Sequence, residues 1–297
     1  MRIWITAVAL LSFAGFVYAE ELDDSYTAFK EAAAAKNADQ IKKMAPETYK
    51  LAKTEEQAKE PADASLVDNW KQRIEFAKQV ENFVEYTVYT TTLADAKPTD
   101  DLLELNAKST YLNTGTPAYL AALGKNGGSK AQIAAANKIL AANPNNEDAL
   151  FTAAEGSQNP ALANRLITLL KTKAKPEGVA DADWTRKKDT MTGHSYFIVG
   201  VGACRGNDWG NCDRTLRTAL PMIAKEPAYN GQALFYLGLA NYQLGKLIND
   251  RSKIAEAARF SEQAAAIPGP LQAQASQNAV AMKREAGTAP GATANKK

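Results

Sequence analysis

The sequence is poorest in the residues that carry most catalysis. Among 297 residues there is one histidine, His194, and there are two cysteines, Cys204 and Cys212. A metal centre that needs several imidazoles is therefore excluded. No Gly-x-Ser-x-Gly elbow, no phosphate-cradling glycine loop and no Cys-x-x-Cys-His haem attachment occurs. The run Gly200-Val201-Gly202-Ala203-Cys204-Arg205-Gly206 misses the dinucleotide-binding spacing and has no strand pattern before it. Charge of one sign is not in excess either, since 35 basic residues face 33 acidic ones. That balance supplies no electrostatic reason for a nucleic-acid or anionic-membrane partner. The alternation of apolar and polar residues that marks strands is nearly absent.

Long apolar runs are missing except at the N-terminus. There Arg2 precedes an uncharged stretch from Ile3 to Val17, which ends in Val17-Tyr18-Ala19. This is the pattern of a secretory signal peptide cleaved after Ala19, and it is too short to span a bilayer comfortably. Glu20, and not a cysteine, follows the cleavage point, so a lipid anchor is not expected. The mature chain is expected in a periplasm or outside the cell, with no stable membrane insertion. In such a compartment Cys204 and Cys212, close in sequence, are expected to pair. Closing so short a loop stabilises by about 2.5 kcal/mol.

Alanine is plentiful, and apolar residues return every three or four positions, which predicts helices almost throughout. Tyr26, Phe29 and Ala33 form one stripe, Asn37-Ala38-Asp39 breaks it, and Ile41 and Met44 begin the next. A mobile connection or frayed helix end is expected over 54–64, followed by a long helix from Ser65 to about Leu93. Its β-branched end, Tyr86 to Thr92, keeps the helical spacing. Lys97-Pro98 closes that segment. Further hairpins are expected around Asn126-Gly127-Gly128 and Asn159-Pro160, then over 184–224 and 228–267. A last helix follows Pro268-Gly269-Pro270, and a Gly/Ala/Thr/Pro tail over 287–297 is expected to be disordered.

One segment, Ala233-Leu234-Phe235-Tyr236-Leu237-Gly238-Leu239-Ala240-Asn241-Tyr242-Gln243-Leu244-Gly245, resembles the first helix of the tetratricopeptide repeat, a helix-turn-helix unit of about 34 residues. Tyr196, Val199 and Gly200 fall in the equivalent places one unit earlier, and Gly200 and Gly238 stand 38 residues apart. The junction Leu140-Ala141-Ala142-Asn143-Pro144-Asn145-Asn146 matches too, and Leu247 to Lys253 reads as an insertion of one or two helical turns. The resemblance implies an all-α, right-handed solenoid of antiparallel helix pairs, with an N-terminal helical hairpin and a C-terminal capping helix. The organisation expected is a signal peptide over 1–19, degenerate helices over 20–112, repeats over 113–286 and a tail from 287. Independently, glycine inside a helix costs about 1 kcal/mol relative to alanine, so Gly200 and Gly238 are expected where two helix backbones touch.

The resemblance also implies a non-enzymatic scaffold that holds a protein or peptide in a groove lined by first helices, without a cofactor. Its groove positions fall on His194, Phe197, Val201 and Arg205, and on Phe235, Leu239, Tyr242 and Gln243. The pairs Asp100/Asp101 and Glu147/Asp148 sit at helix starts, where carboxylates complement the dipole. Two other functions stay open: an envelope-acting hydrolase with carboxylates drawn from distant repeats, and a small-solute or sugar binder using Trp70, Trp184 and Trp209.

Overall fold

In the computed structural model, residues 13–95, 100–176 and 178–287 are described. Most of the expected signal peptide, Lys97-Pro98 and the tail expected to be disordered beyond Gly287 lie outside them. Every regular element among the described residues is helical. The helices are α1 (Phe13–Ala34), α2 (Ala38–Glu56), α3 (Val67–Asp95), α4 (Asp100–Leu105), α5 (Thr110–Ala142), α6 (Glu147–Ser157), α7 (Pro160–Thr172), α8 (Asp181–Arg205), α9 (Trp209–Ile223), α10 (Pro227–Leu247), α11 (Arg251–Ala265) and α12 (Gln272–Ala286). None is long and apolar enough to cross a membrane. The stretch from Tyr86 to Thr92 is helical, as its spacing requires. The expected break near Asn126 is a single non-helical residue, Gly128 (φ 70°, ψ 179°), between two helical runs. Only glycine adopts that conformation at low cost. The chain divides into two compact units there, the first holding 1–126 with 141–143 and the second 127–140 with 144–297.

In the first unit α2 packs on both α1 and α3. Leu22, Phe29, Ile41, Ala52, Val80 and Val84 are buried there, and Tyr26 and Phe29 meet Phe83 edge-on. Arg73 bridges Asp23 at 2.9 Å and Glu55 at 2.8 Å. Glu85, buried, accepts from the Tyr49 hydroxyl at 3.0 Å and from Asn106 Nδ2 at 2.7 Å.

In the second unit each helix packs on the next from α6 to α12, and α6, α8 and α10 also touch in succession. Glycines set the closest contacts. Gly193 and Gly200 on α8, and Gly231, Gly238 and Gly245 on α10, recur every seven residues, close to two helical turns, so each set lies on one face. A Cβ on Gly193 would lie 2.7 Å from Met222 Cβ, and one on Gly200 would lie 2.6 Å from Leu216 Cγ. On α10 the same atom would meet Ile267 at 3.3 Å from Gly231, Ser261 Oγ at 2.5 Å from Gly238, and Ile254 at 2.8 Å from Gly245. As the glycine number rises the partner number falls, so α8/α9 and α10/α11 are antiparallel pairs. The expected contacts at Gly200 and Gly238 are therefore present, and within 247–253 Leu247 ends α10, residues 248–250 form the turn and Arg251 opens α11.

The turns inside the pairs share one construction. Gln158, Asn207 and Asn249 take positive φ of 49°, 60° and 55°, and each is followed by an Asn or Asp that caps the next helix. Asn159 accepts from Ala161 N, Asp208 from Asn211 N and Asp250 from Ser252 N. The cap residue's own N–H returns to the carbonyl five residues back, at 3.1, 2.9 and 2.8 Å, the long-range bond of a Schellman ending. In the first unit, Lys36-Asn37 between α1 and α2 repeats it, with φ 52° and a 3.1 Å return bond. The α8/α9 turn is also closed by the Cys204–Cys212 disulfide, with Cα atoms 5.0 Å apart.

Gly238→Val is expected to lower stability by about 1–3 kcal/mol through overpacking, because Ala257 O and Ser261 N are backbone atoms that cannot yield. Gly210→Ala, with nothing within 4 Å, should stay within about 0.5 kcal/mol; urea unfolding of both variants is the check. Replacing Cys204 and Cys212 together by serine should cost about 2–3 kcal/mol. Reductant should lower the unfolding midpoint of the native chain and leave that of the double variant unchanged.

Candidate functional site

The polar chemistry of the second unit collects where α6, α8 and α10 run beside one another. His194, on the middle helix, is 6% exposed. Its Nδ1 lies 2.7 Å from Glu155 Oε1 on α6, and its Nε2 lies 2.8 Å from Glu226 Oε2 at the cap of α10. Tyr229, three residues into α10, donates its hydroxyl to the same Glu155 oxygen at 2.6 Å. Its ring stacks on the imidazole with centroids 4.0 Å apart. Phe151 on α6 and Phe197 on α8 complete the wall, Phe197 meeting Tyr229 edge-on. One imidazole thus joins carboxylates from two other helices.

Opposing terms set the electrostatics. Burial by itself lowers the His194 pKa, but the hydrogen bonds and charges of Glu155 and Glu226 outweigh it and raise the value above the ordinary 6.5. Burial would raise the Glu155 carboxyl, and its bonds to His194 and Tyr229 hold it below 4.5 instead. The Tyr229 phenol is pushed up, first by burial and then by Glu155.

A second cluster lies at the start of α6. Glu147 and Asp148 are buried, and Lys187 on α8 reaches both, at 3.1 and 2.8 Å, while Lys173 also bonds Glu147. These carboxylates do occupy the first turn of α6, as expected for dipole pairing. The burial and the two lysines make them a tie between helices as well. A third network, on α9, α10 and α11, centres on buried Asn241. It donates to Asp213 at 2.6 Å, and Arg217 donates to it at 3.2 Å and pairs with Glu256 at 2.8 Å.

The eight positions expected to line a groove separate by burial. His194, Phe197, Val201 and Phe235 are buried, Leu239, Tyr242 and Gln243 are half-buried, and Arg205 is exposed. Phe197 and Val201 belong to the core around the disulfide, and Phe235 packs with Leu234, Ala264 and Ala275. Tyr242 donates to Glu285 on α12 at 2.7 Å. An open apolar depression of about 500 Å³ lies between α9, α10 and α11, lined by Leu220, Pro221, Leu234 and Ile267. The tryptophans serve separate contacts: Trp70 Nε1 donates to Ala58 O at 3.0 Å, Trp184 packs with Leu150 and Leu166, and Trp209 packs beside the disulfide core.

Glu155, Glu226, Tyr229 and Lys187 are functional-site candidates that sequence reasoning missed. Glu226-Pro227 carries a visible helix-start signal, but nothing in the order of residues places it against His194. Among the described residues no three His, Cys, Asp or Glu side chains are grouped to hold a metal ion. No protein-family model, no curated protein and no solved structure matches the chain.

Glu155→Ala removes the partner shared by His194 and Tyr229 and is expected to cost about 3 kcal/mol, as for a buried charge pair that loses one member. Arg205→Ala should fall within about 0.5 kcal/mol. Chemical denaturation of the two variants distinguishes a structural cluster from an exposed contact residue.

Proposed function

We propose that the chain is a non-enzymatic protein- or peptide-binding scaffold of the bacterial periplasm or cell envelope, built as a right-handed tetratricopeptide-like solenoid. The observation that carries this reading is a unit that occurs twice, in α8/α9 and α10/α11: an antiparallel helix pair with glycines every seven residues on its contact face and a left-handed, Asx-capped turn at its tip, the turn also closing α6/α7. A pair of helices cannot bury its apolar face alone, so such units stack. The last helix, α12, has the composition of a cap, since Ala275, Ala279 and Met282 turn inward while Gln272, Gln274, Ser276 and Gln277 are exposed.

Successive first helices, α6, α8 and α10, form the binding face of this scaffold. Arg205, Leu239, Tyr242 and Gln243 supply its accessible contacts, and the buried aromatic and histidine positions hold the face in shape. On this face Glu155 and Glu226 are both bonded to His194, and Glu155 also to Tyr229.

Crosslinking in intact cells tests the reading. Arg205→Glu combined with Leu239→Asp should abolish a crosslinked partner that the native chain captures, while the thermal unfolding midpoint stays within a few degrees. Capture that survives the double substitution would remove this face as the binding site.

A further inference from the structure

We propose that His194 is a proton-controlled latch: charged, it clamps α6, α8 and α10 together, and neutral, it leaves Glu155 and Glu226 to loosen them. The geometry makes the ring's charge decisive. A carboxylate only accepts hydrogen bonds, and both ring nitrogens face one, so both contacts are favourable only when both nitrogens carry protons. A neutral ring keeps one N–H and turns the lone pair of the other nitrogen toward a carboxylate. The titratable groups that face the ring are Glu155 from α6 and Glu226 and Tyr229 from α10. The neighbouring helix α9 sets Met222 and Ile223 against adjacent Gly193, and none of the ring's hydrogen bonds or ring contacts comes from α7 or α9.

No other histidine exists in the chain, so His194 is the one side chain whose ordinary pKa lies in this range. The folded-state pKa of His194 is raised, so its contribution is complete below 6.5 and is lost as pH climbs from there through the folded value. Glu155 is held below 4.5, so its contribution is present above that value and is lost as pH falls through the lowered one. The latch is closed between these limits and opens on the alkaline side.

The test is a proton NMR titration of the single imidazole from pH 5 to 9.5, together with amide-exchange protection in α6 and the first turns of α10. The ring should titrate above 6.5. Protection should fall by up to about tenfold per pH unit between 6.5 and the ring's midpoint, then level off. Glu226→Gln, at a carboxylate whose side chain is 38% exposed, keeps the fold and should move the ring's midpoint down. His194→Gln should make the protection independent of pH over the same range. A ring that titrates at or below 6.5, or a His194→Gln chain whose protection follows the native pH course, overturns the latch. Any effect on ligand capture rests on the binding-face reading; these measurements need no partner, so the two ideas fail separately.

Discussion

Close approach of helix backbones is the constraint from which the second unit follows. Two helices carrying full side chains keep their axes about 8–10 Å apart, and the seven-residue glycine spacing on α8 and α10 removes that obstacle along a whole face. Leu216, Ile254, Ser261 and Met222 then fill the space a Cβ would occupy. The glycines weaken their own helices, and only the dense contact that they permit offsets the loss. Alanine abundance has the same cause: Ala219, Ala233, Ala240 and Ala257 are fully buried where larger residues would hold the rods apart.

Dry glycine and alanine contacts join helices within a pair. Polar ones join successive pairs. Lys187 with Glu147 and Asp148, His194 with Glu155 and Glu226, and Arg217 with Asn241 and Glu256 each bridge elements from neighbouring pairs. Apolar surfaces between neighbouring helices could slide past one another, whereas a bonded charge has few equivalent positions. Such bridges add little net energy compared with apolar replacements, and their effect here is to fix which residues meet.

The turns complete this division of labour. A left-handed residue followed by an Asx cap closes α6/α7, α8/α9 and α10/α11 in the second unit and α1/α2 in the first. Each uses a short polar side chain to satisfy the first free N–H groups of the incoming helix. Between pairs, by contrast, Ala180 and Glu226 make no side-chain cap bond. The junction into α6 differs from these two, since Asn146 caps it by accepting from Ala149 N at 2.9 Å.

Helical content, the pairing of Cys204 with Cys212 and the contact role of Gly200 and Gly238 were legible in the order of residues. All three depend on local spacing, and local spacing survives any tertiary arrangement. The shared turn was only half legible: Asn159-Pro160 announces itself, but Gln158, Asn207 and Asn249 do not announce a left-handed backbone. The groove positions show the limit more sharply. Phe197, Val201 and Phe235, expected to line a groove, are buried, because the amount of chain that covers a face is not written in that face. Glu155, His194, Glu226 and Tyr229 are spread over 75 residues with no common motif. Only the stacking of α6, α8 and α10 brings them together, since a contact between distant helices is set by packing geometry and not by sequence separation.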